Sequence, residues 1–124
     1  MALTALVLAC TLRPSPAESS SVLLGQQVLD ALAEHAVSGE LVRVVDQTVR
    51  FGVSTDEGEG DEWPSIREKM LAADGVTYWV GEAMQTEDYQ DQDPTPEKTA
   101  ETTRTVAANA AHLAAQLQRA NYPA

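Results

Sequence analysis

Residues 3–9 read Leu-Thr-Ala-Leu-Val-Leu-Ala, a short apolar run followed at once by polar and proline-containing residues. The run is far below the ~20 apolar residues that a membrane-spanning helix needs. It also has no positively charged flank of the kind a signal segment carries, so Val7-Leu8-Ala9-Cys10 is not read as a lipid-attachment site. A buried strand is the expectation. Because the run is apolar on both of its alternating faces, the strand belongs in a parallel sheet covered by helices on each side. The rest of the chain must then supply the helices and the neighbouring strands.

It does so in order. After a polar turn from Thr11 to Ser19, Ser19 or Ser20 caps a helix predicted to run to about Ala36, with Leu24, Val28, Leu32 and Ala36 on one stripe. Gly39 closes that unit, and Leu41 to Val45 is the second predicted strand. Strand, helix and strand in this order form a right-handed βαβ unit. A long loop from Gln47 to Glu62 gathers Asp56, Glu57, Glu59, Asp61 and Glu62, and is expected to be solvated and mobile. Pro64 opens a helix reaching about Ala73, with Ile66 and Met70 inward. Val76 to Val80 is the third predicted strand, followed by a second acidic loop from Gly81 to Pro94. Thr95 as cap and Pro96 as first residue start a last helix whose stripe is Val106, Ala110, Leu113, Leu117 and Ala120. The expected fold is therefore a three-layer α/β domain with three helices around a small parallel sheet.

Composition bounds the function. The chain has 124 residues and a formal net charge of −11, which suits a single domain and argues against nucleic acid as partner, since no basic stripe is present. One cysteine, Cys10, excludes a disulfide framework and makes a cytoplasmic, reducing setting the expectation. Cys10 itself is read as an inert buried thiol. His35 and His112 lie 77 positions apart without ligand-spaced partners, so no metal site is expected. The acidic cluster lacks the spacing of the twelve-residue calcium loop.

In open parallel sheets, ligands sit beyond the carboxyl ends of the strands. Of the segments placed there, Thr11 to Ser21 alone resembles an anion site. Thr11, Ser15, Ser19, Ser20 and Ser21 offer hydroxyls, Arg13 offers charge, and the first turn of the helix offers unpaired N–H groups. A structural reading stands beside this one: serines cap helices, prolines punctuate turns, and Arg13 is solvated. The loop has neither the Lys-Ser/Thr pair of a P-loop nor the three glycines of a dinucleotide fingerprint. A cysteine phosphatase would place arginine where Pro16 stands, and a receiver domain would place acids where Cys10 and Thr11 stand.

The segments LTALVLACTLRPSPAESSSVLLGQQVLDALAEH, GELVRVVDQTV and STDEGEGDEWPSIREKMLAAD resemble the N-terminal half of flavodoxin-like proteins, most of all the NAD(P)H-dependent FMN reductases. GVTYWVGEAM, the YQD stretch and the helix begun by TPEK resemble the C-terminal end of the same group. The resemblance implies a flavodoxin-like (Rossmann-like) domain with strand order 2-1-3, FMN as cofactor and NAD(P)H as electron donor. It places the FMN phosphate on Thr11, Arg13, Ser15, Ser19, Ser20 and Ser21, and names no catalytic acid or base. The same resemblance implies a single domain over residues 1–124, shortened internally, in which 1–74 correspond to the family's N-terminal half and 75–124 to its last strand and helix. The seam falls near Asp74-Gly75, and the missing part would carry the loops that contact the flavin ring.

Two expectations follow from that loss. FMN is held weakly or not at all, because a phosphate contact alone must offset the cost of ordering the cofactor. Apolar faces uncovered by the shortening favour a homodimer through the sheet edge or the last helix. The alternatives to a reductase are a non-catalytic shortened form acting as an interaction module, and a small phosphate-binding domain unrelated to flavin. No membrane partner is expected.

Overall fold

A computed structural model of the chain describes residues 2–72, 89–91 and 93–120. Strand β1 spans Thr4–Ala9, helix α1 Ser20–Ala33, strand β2 Ser38–Arg43, helix α2 Trp63–Leu71 and helix α3 Glu97–Arg119. Single 3-10 turns occupy Val44–Asp46 and Tyr89–Asp91. The two strands pair in parallel, Ala5 opposite Gly39, Val7 opposite Leu41 and Ala9 opposite Arg43. The third predicted strand, Val76 to Val80, and the seam near Asp74-Gly75 lie outside the described residues. The described sheet thus has two strands, where the sequence reading expects about three.

Side-chain alternation explains the layers. Ala5, Val7 and Leu41 face one side of the sheet and pack there with Leu29, Leu32, Val37, Ala107 and Ala111 of the α1–α3 side. Leu6 and its register partner Glu40 face the other side. There Lys69 of α2 meets Glu40, Nζ to Oε1 at 2.8 Å. Ile66 anchors α2, being only 2% exposed, whereas Met70, expected to point inward, is 41% exposed.

Helix α1 approaches the sheet through Gly25. A Cβ there would lie 2.8 Å from Val7 Cγ1 and 3.0 Å from Leu41 Cδ1, so only glycine permits this spacing without a shift of neighbours. The buried line is accordingly Gly25, Leu29 and Leu32, rotated by about one residue from the predicted stripe that ran through Leu24 and Ala36. In α3 the buried residues are Thr103, Ala107 and Ala111, and Leu113 is 47% exposed. Small side chains form this seam because they let two helices come close. Of the predicted stripe, Ala110 still packs against the core, while Leu113 lies off the contact line.

The end of α1 also differs from expectation. The N–H of Val37 donates to Leu32 O at 3.2 Å and that of Ala36 to Ala33 O at 3.0 Å, the paired bonds of a Schellman motif. Ala36 takes the left-handed position normally given to glycine, with φ 58°. The chain turns three residues before Gly39, so β2 starts at Ser38 rather than Leu41, and Val44 and Val45 fall in a 3-10 turn. At the start of α3, Pro96 occupies the cap position, and Thr95 instead accepts a hydrogen bond from Gln27 Nε2 at 2.9 Å.

The acidic loop is organised by its own carboxylates rather than merely solvated. Asp61 accepts the N–H groups of Arg50, Glu57 and Trp63, each at 3.1 Å. Glu57 accepts from Ser54 at 2.7 Å and Asp56 from Gly58 at 2.8 Å, while Glu62 accepts from Thr48. No group of acidic, histidine or cysteine residues suited to a metal ion occurs among the described residues. Cys10, expected to be buried, is exposed.

Two predictions arise here. Ala36→Gly removes a left-handed cost of ~1–2 kcal/mol against an unfolded-state cost of ~0.4–1 kcal/mol, a net gain of about 0.5–1 kcal/mol in urea unfolding. A loss of stability would mean that the alanine is not strained. The N–H of Glu57, with those of Arg50 and Trp63, holds the Asp61 carboxyl below its ordinary value of 3.8. A lowered folded pKa gives stability that is complete above 3.8 and lost as pH falls through the folded value. The amide resonances of Arg50, Glu57 and Trp63 should titrate together with a midpoint below 3.8, and should lose that transition in Asp61→Asn.

Candidate functional site

Parallel pairing puts the carboxyl ends of β1 and β2 on the same edge, and the loops that leave them meet there. At this edge a polar cavity of about 230 Å³ is lined by Thr11, Arg13, Ser19, Ser20, Ser21 and Gln90. Five of the six residues singled out from the sequence are thus brought together. The sixth, Ser15, lies outside the lining: its N–H donates to Asp46 Oδ1 at 2.9 Å, and its hydroxyl donates to Asp46 Oδ2. Ser15 shapes the loop through Asp46 rather than facing the cavity.

Ser19 is the residue that gives the cavity its character. It has the extended backbone of an N-cap, φ −153° and ψ 126°, yet makes no capping hydrogen bond. A serine at this position ordinarily accepts from an N–H one turn in. Here the residue is only 7% exposed and is one of those that line the cavity. The first helical bond of α1 is that of Leu23 N–H to Ser19 O at 3.0 Å, so the N–H groups of Ser20, Ser21 and Val22 precede it and have no helical acceptor. The positive end of the helix dipole lies at the same place.

The neighbouring polar groups are held with their donors free. Ser20 Oγ accepts the N–H of Gln90 at 3.2 Å, and Thr11 Oγ1 accepts that of Arg13 at 3.2 Å. Each hydroxyl proton is then left to donate elsewhere. Arg13, an exposed residue, has Nη1 3.4 Å from Glu18 O, which lays the guanidinium along the loop. Gln90 arrives from the Tyr89–Asp91 turn, fastened to α1 by the hydrogen bond between Tyr89 Oη and Gln27 Oε1. The site is rich in donors and has a fixed cation, an arrangement suited to a phosphate group.

Three residues at this edge escaped the sequence reading. Arg43 was placed only as a strand residue, yet its Nη1 donates to Arg13 O at 3.1 Å and Ala17 O at 3.0 Å. Arg13 is therefore not the sole cation near the loop. Asp46 falls in the GELVRVVDQTV segment, where the resemblance gave it no role, and the Ser15 hydroxyl, then the Ser15 N–H and the charge of Arg43, hold its carboxyl below the ordinary value. Gln90 falls in the YQD stretch, where the resemblance gave it no role. A second cleft, about 330 Å³, is at the opposite end of the strands beside Lys69 and Glu40, away from the edge where such sheets bind ligands.

No family model matches the sequence, and no curated protein matches it. A search of solved structures finds similarity to RosB, in a crystal structure with the bound intermediate 8-demethyl-8-formylriboflavin-5'-phosphate. The TM-score is 0.77 at 21% sequence identity, covering 98% of this chain and 82% of that one. The architecture is that of a flavodoxin-like α/β domain. At this identity the likeness speaks for the fold. No helix among the described residues is long and apolar enough to cross a membrane.

The geometry of Ser19 yields a test that separates capping from ligand binding. Loss of a working N-cap costs ~1 kcal/mol. Because this hydroxyl caps nothing, Ser19→Ala should change urea stability by less than ~0.5 kcal/mol, as a site without such a contact does. The same variant should bind phosphate-bearing ligands more weakly. A full capping loss with unaltered ligand binding would return Ser19 to a structural role.

Proposed function

We propose that the chain binds a flavin 5'-phosphate, FMN or a ring-modified relative, with the phosphate in the cavity at the N-terminus of α1. The observation that carries this reading is the largely buried Ser19, which makes no capping hydrogen bond and lines the same cavity as Arg13. A flavodoxin-like fold and a structural neighbour whose bound intermediate carries a riboflavin-5'-phosphate moiety support it. Thr11, Arg13, Ser19, Ser20 and Ser21 would hold the phosphate, joined by Gln90, and Ser15 would act by fixing the loop. These residues fit the group: a dianion takes the N–H groups and hydroxyl protons that the protein leaves unused, and burial of a paired charge needs such donors.

Within that reading the chain is a relative of the NAD(P)H-dependent FMN reductases, an internally shortened single domain with 1–74 and 75–124 as its two ancestral parts. The flavin, when bound, supplies the electron-transfer chemistry. The described residues bind and orient it by its phosphate. A second reading, a non-catalytic form with weak or no flavin binding, draws on one observation: no aromatic side chain lines the cavity among the described residues.

FMN and riboflavin titrations, followed by quenching of flavin fluorescence, distinguish these. FMN should bind more tightly than riboflavin, and inorganic phosphate should compete. Arg13→Ala and Ser20→Ala should each weaken FMN about tenfold, the worth of one charge-assisted or shared hydrogen bond, and leave riboflavin unchanged. Equal affinity for FMN and riboflavin would remove the phosphate from this cavity. No flavin binding by a folded protein would favour the non-catalytic reading. Phosphate binding without flavin preference would favour an unrelated phosphate-binding domain.

A further inference from the structure

We propose that Arg43 and Asp46, neither of which lines the cavity, are positioning residues that set the Thr11–Ser19 loop into its anion-binding shape. The ligand part of this inference rests on the flavin-phosphate reading, and the loop geometry does not. The register places Arg43 opposite Ala9, the last residue of β1. From there Arg43 Nη1 takes the carbonyls of Arg13 and Ala17, at 3.1 and 3.0 Å. Three residues on, Asp46 takes both the N–H and the hydroxyl of Ser15. The pair thereby fastens residues 13, 15 and 17, and the residues between them include Pro14 and Pro16. Prolines have no N–H, so a loop rich in them has few donors with which to organise itself. Its own backbone turn bond is Ala17 N–H to Pro14 O, 3.0 Å. Fixation from the end of β2 and the 3-10 turn after it supplies what the loop sequence lacks.

Charge sign rules out a direct ligand role for Asp46, since a carboxylate repels a phosphate. The charge of Arg43 contributes to holding the Asp46 carboxyl below its ordinary value. Both residues act on binding through the positions of Arg13 and Ser19.

The test exploits the opposite signs of electrostatics and positioning. Asp46→Ala removes a negative charge near the anion, and Coulomb attraction alone would then tighten FMN binding. Positioning predicts the reverse, a weakening of about tenfold from the loss of two hydrogen bonds that order the loop. Asp46→Asn makes the same change of charge, yet its carboxamide can accept the Ser15 N–H and donate to the Ser15 hydroxyl. It should bind FMN at least as tightly as the parent. In an Arg13→Ala background, Asp46→Ala should add much less than it does alone, because contacts that act through one residue are not additive. Tighter or unchanged FMN binding in Asp46→Ala, or a full additional loss in the Arg13→Ala background, overturns the proposal. Should the parent chain not bind FMN, the flavin reading falls and amide exchange in the ligand-free protein decides the positioning role. The Ala17 N–H, whose own acceptor is untouched, should then exchange faster in Asp46→Ala and at the parental rate in Asp46→Asn. An unchanged rate in Asp46→Ala would count against it.

Discussion

The parallel pairing of β1 with β2 is the constraint from which the rest of the molecule follows. Two strands that run the same way cannot be joined by a hairpin, so the chain must cross over, and α1 is that crossover. The crossover buries one side of the sheet. Its N-terminus comes to the same edge as both strand ends, and with it the loop containing Arg13. The in-register partners Ala9 and Arg43 end the ladder together. A slip of one residue would turn Arg43 to the other face and uncouple it from that loop.

Much of this was legible because the signals are local and strong. An apolar run without alternation reads as a covered parallel strand, a cluster of serines before an apolar stripe reads as a helix start, and Pro64 and Pro96 mark the starts of later helices. Thr11, Arg13, Ser19, Ser20 and Ser21 could be grouped for the same reason, since all lie in the loop after β1 or in the first turn of α1. What could not be read depended on partners distant in the chain. Nothing near Gly25 says that Val7 and Leu41 press against it, and the true seam of α1 follows from that contact. The α3 seam runs through Thr103, Ala107 and Ala111 because close approach outweighs side-chain size, which a search for large apolar residues does not detect. Ala36 in a position favoured by glycine moved the start of β2, and Gly39 was the misleading sign.

Asp46 and Arg43 show the same limit at the site. Each is a common residue type in an ordinary context, and their meaning appears only when β2 lies beside β1. The acidic loop offers the complementary lesson. Five acids in seven positions suggested a solvated, mobile segment. In the folded chain, Asp56, Glu57, Asp61 and Glu62 accept backbone N–H groups from the same stretch, so negative charge serves as the loop's internal scaffold. A high density of carboxylates is compatible with order when backbone donors are close enough to use them.

The uncapped start of α1 has a consequence beyond recognition. A helix whose first turn lacks its side-chain acceptor is incomplete as a folding unit, and under the proposed reading an anion completes it from outside. Ligand and cap then become thermodynamically the same thing. Folding stability acquires a dependence on the activity of phosphate-bearing species, rising with the logarithm of their concentration once the site begins to fill. Melting temperatures taken in phosphate buffer and in a buffer without oxyanions would describe two different equilibria of one chain.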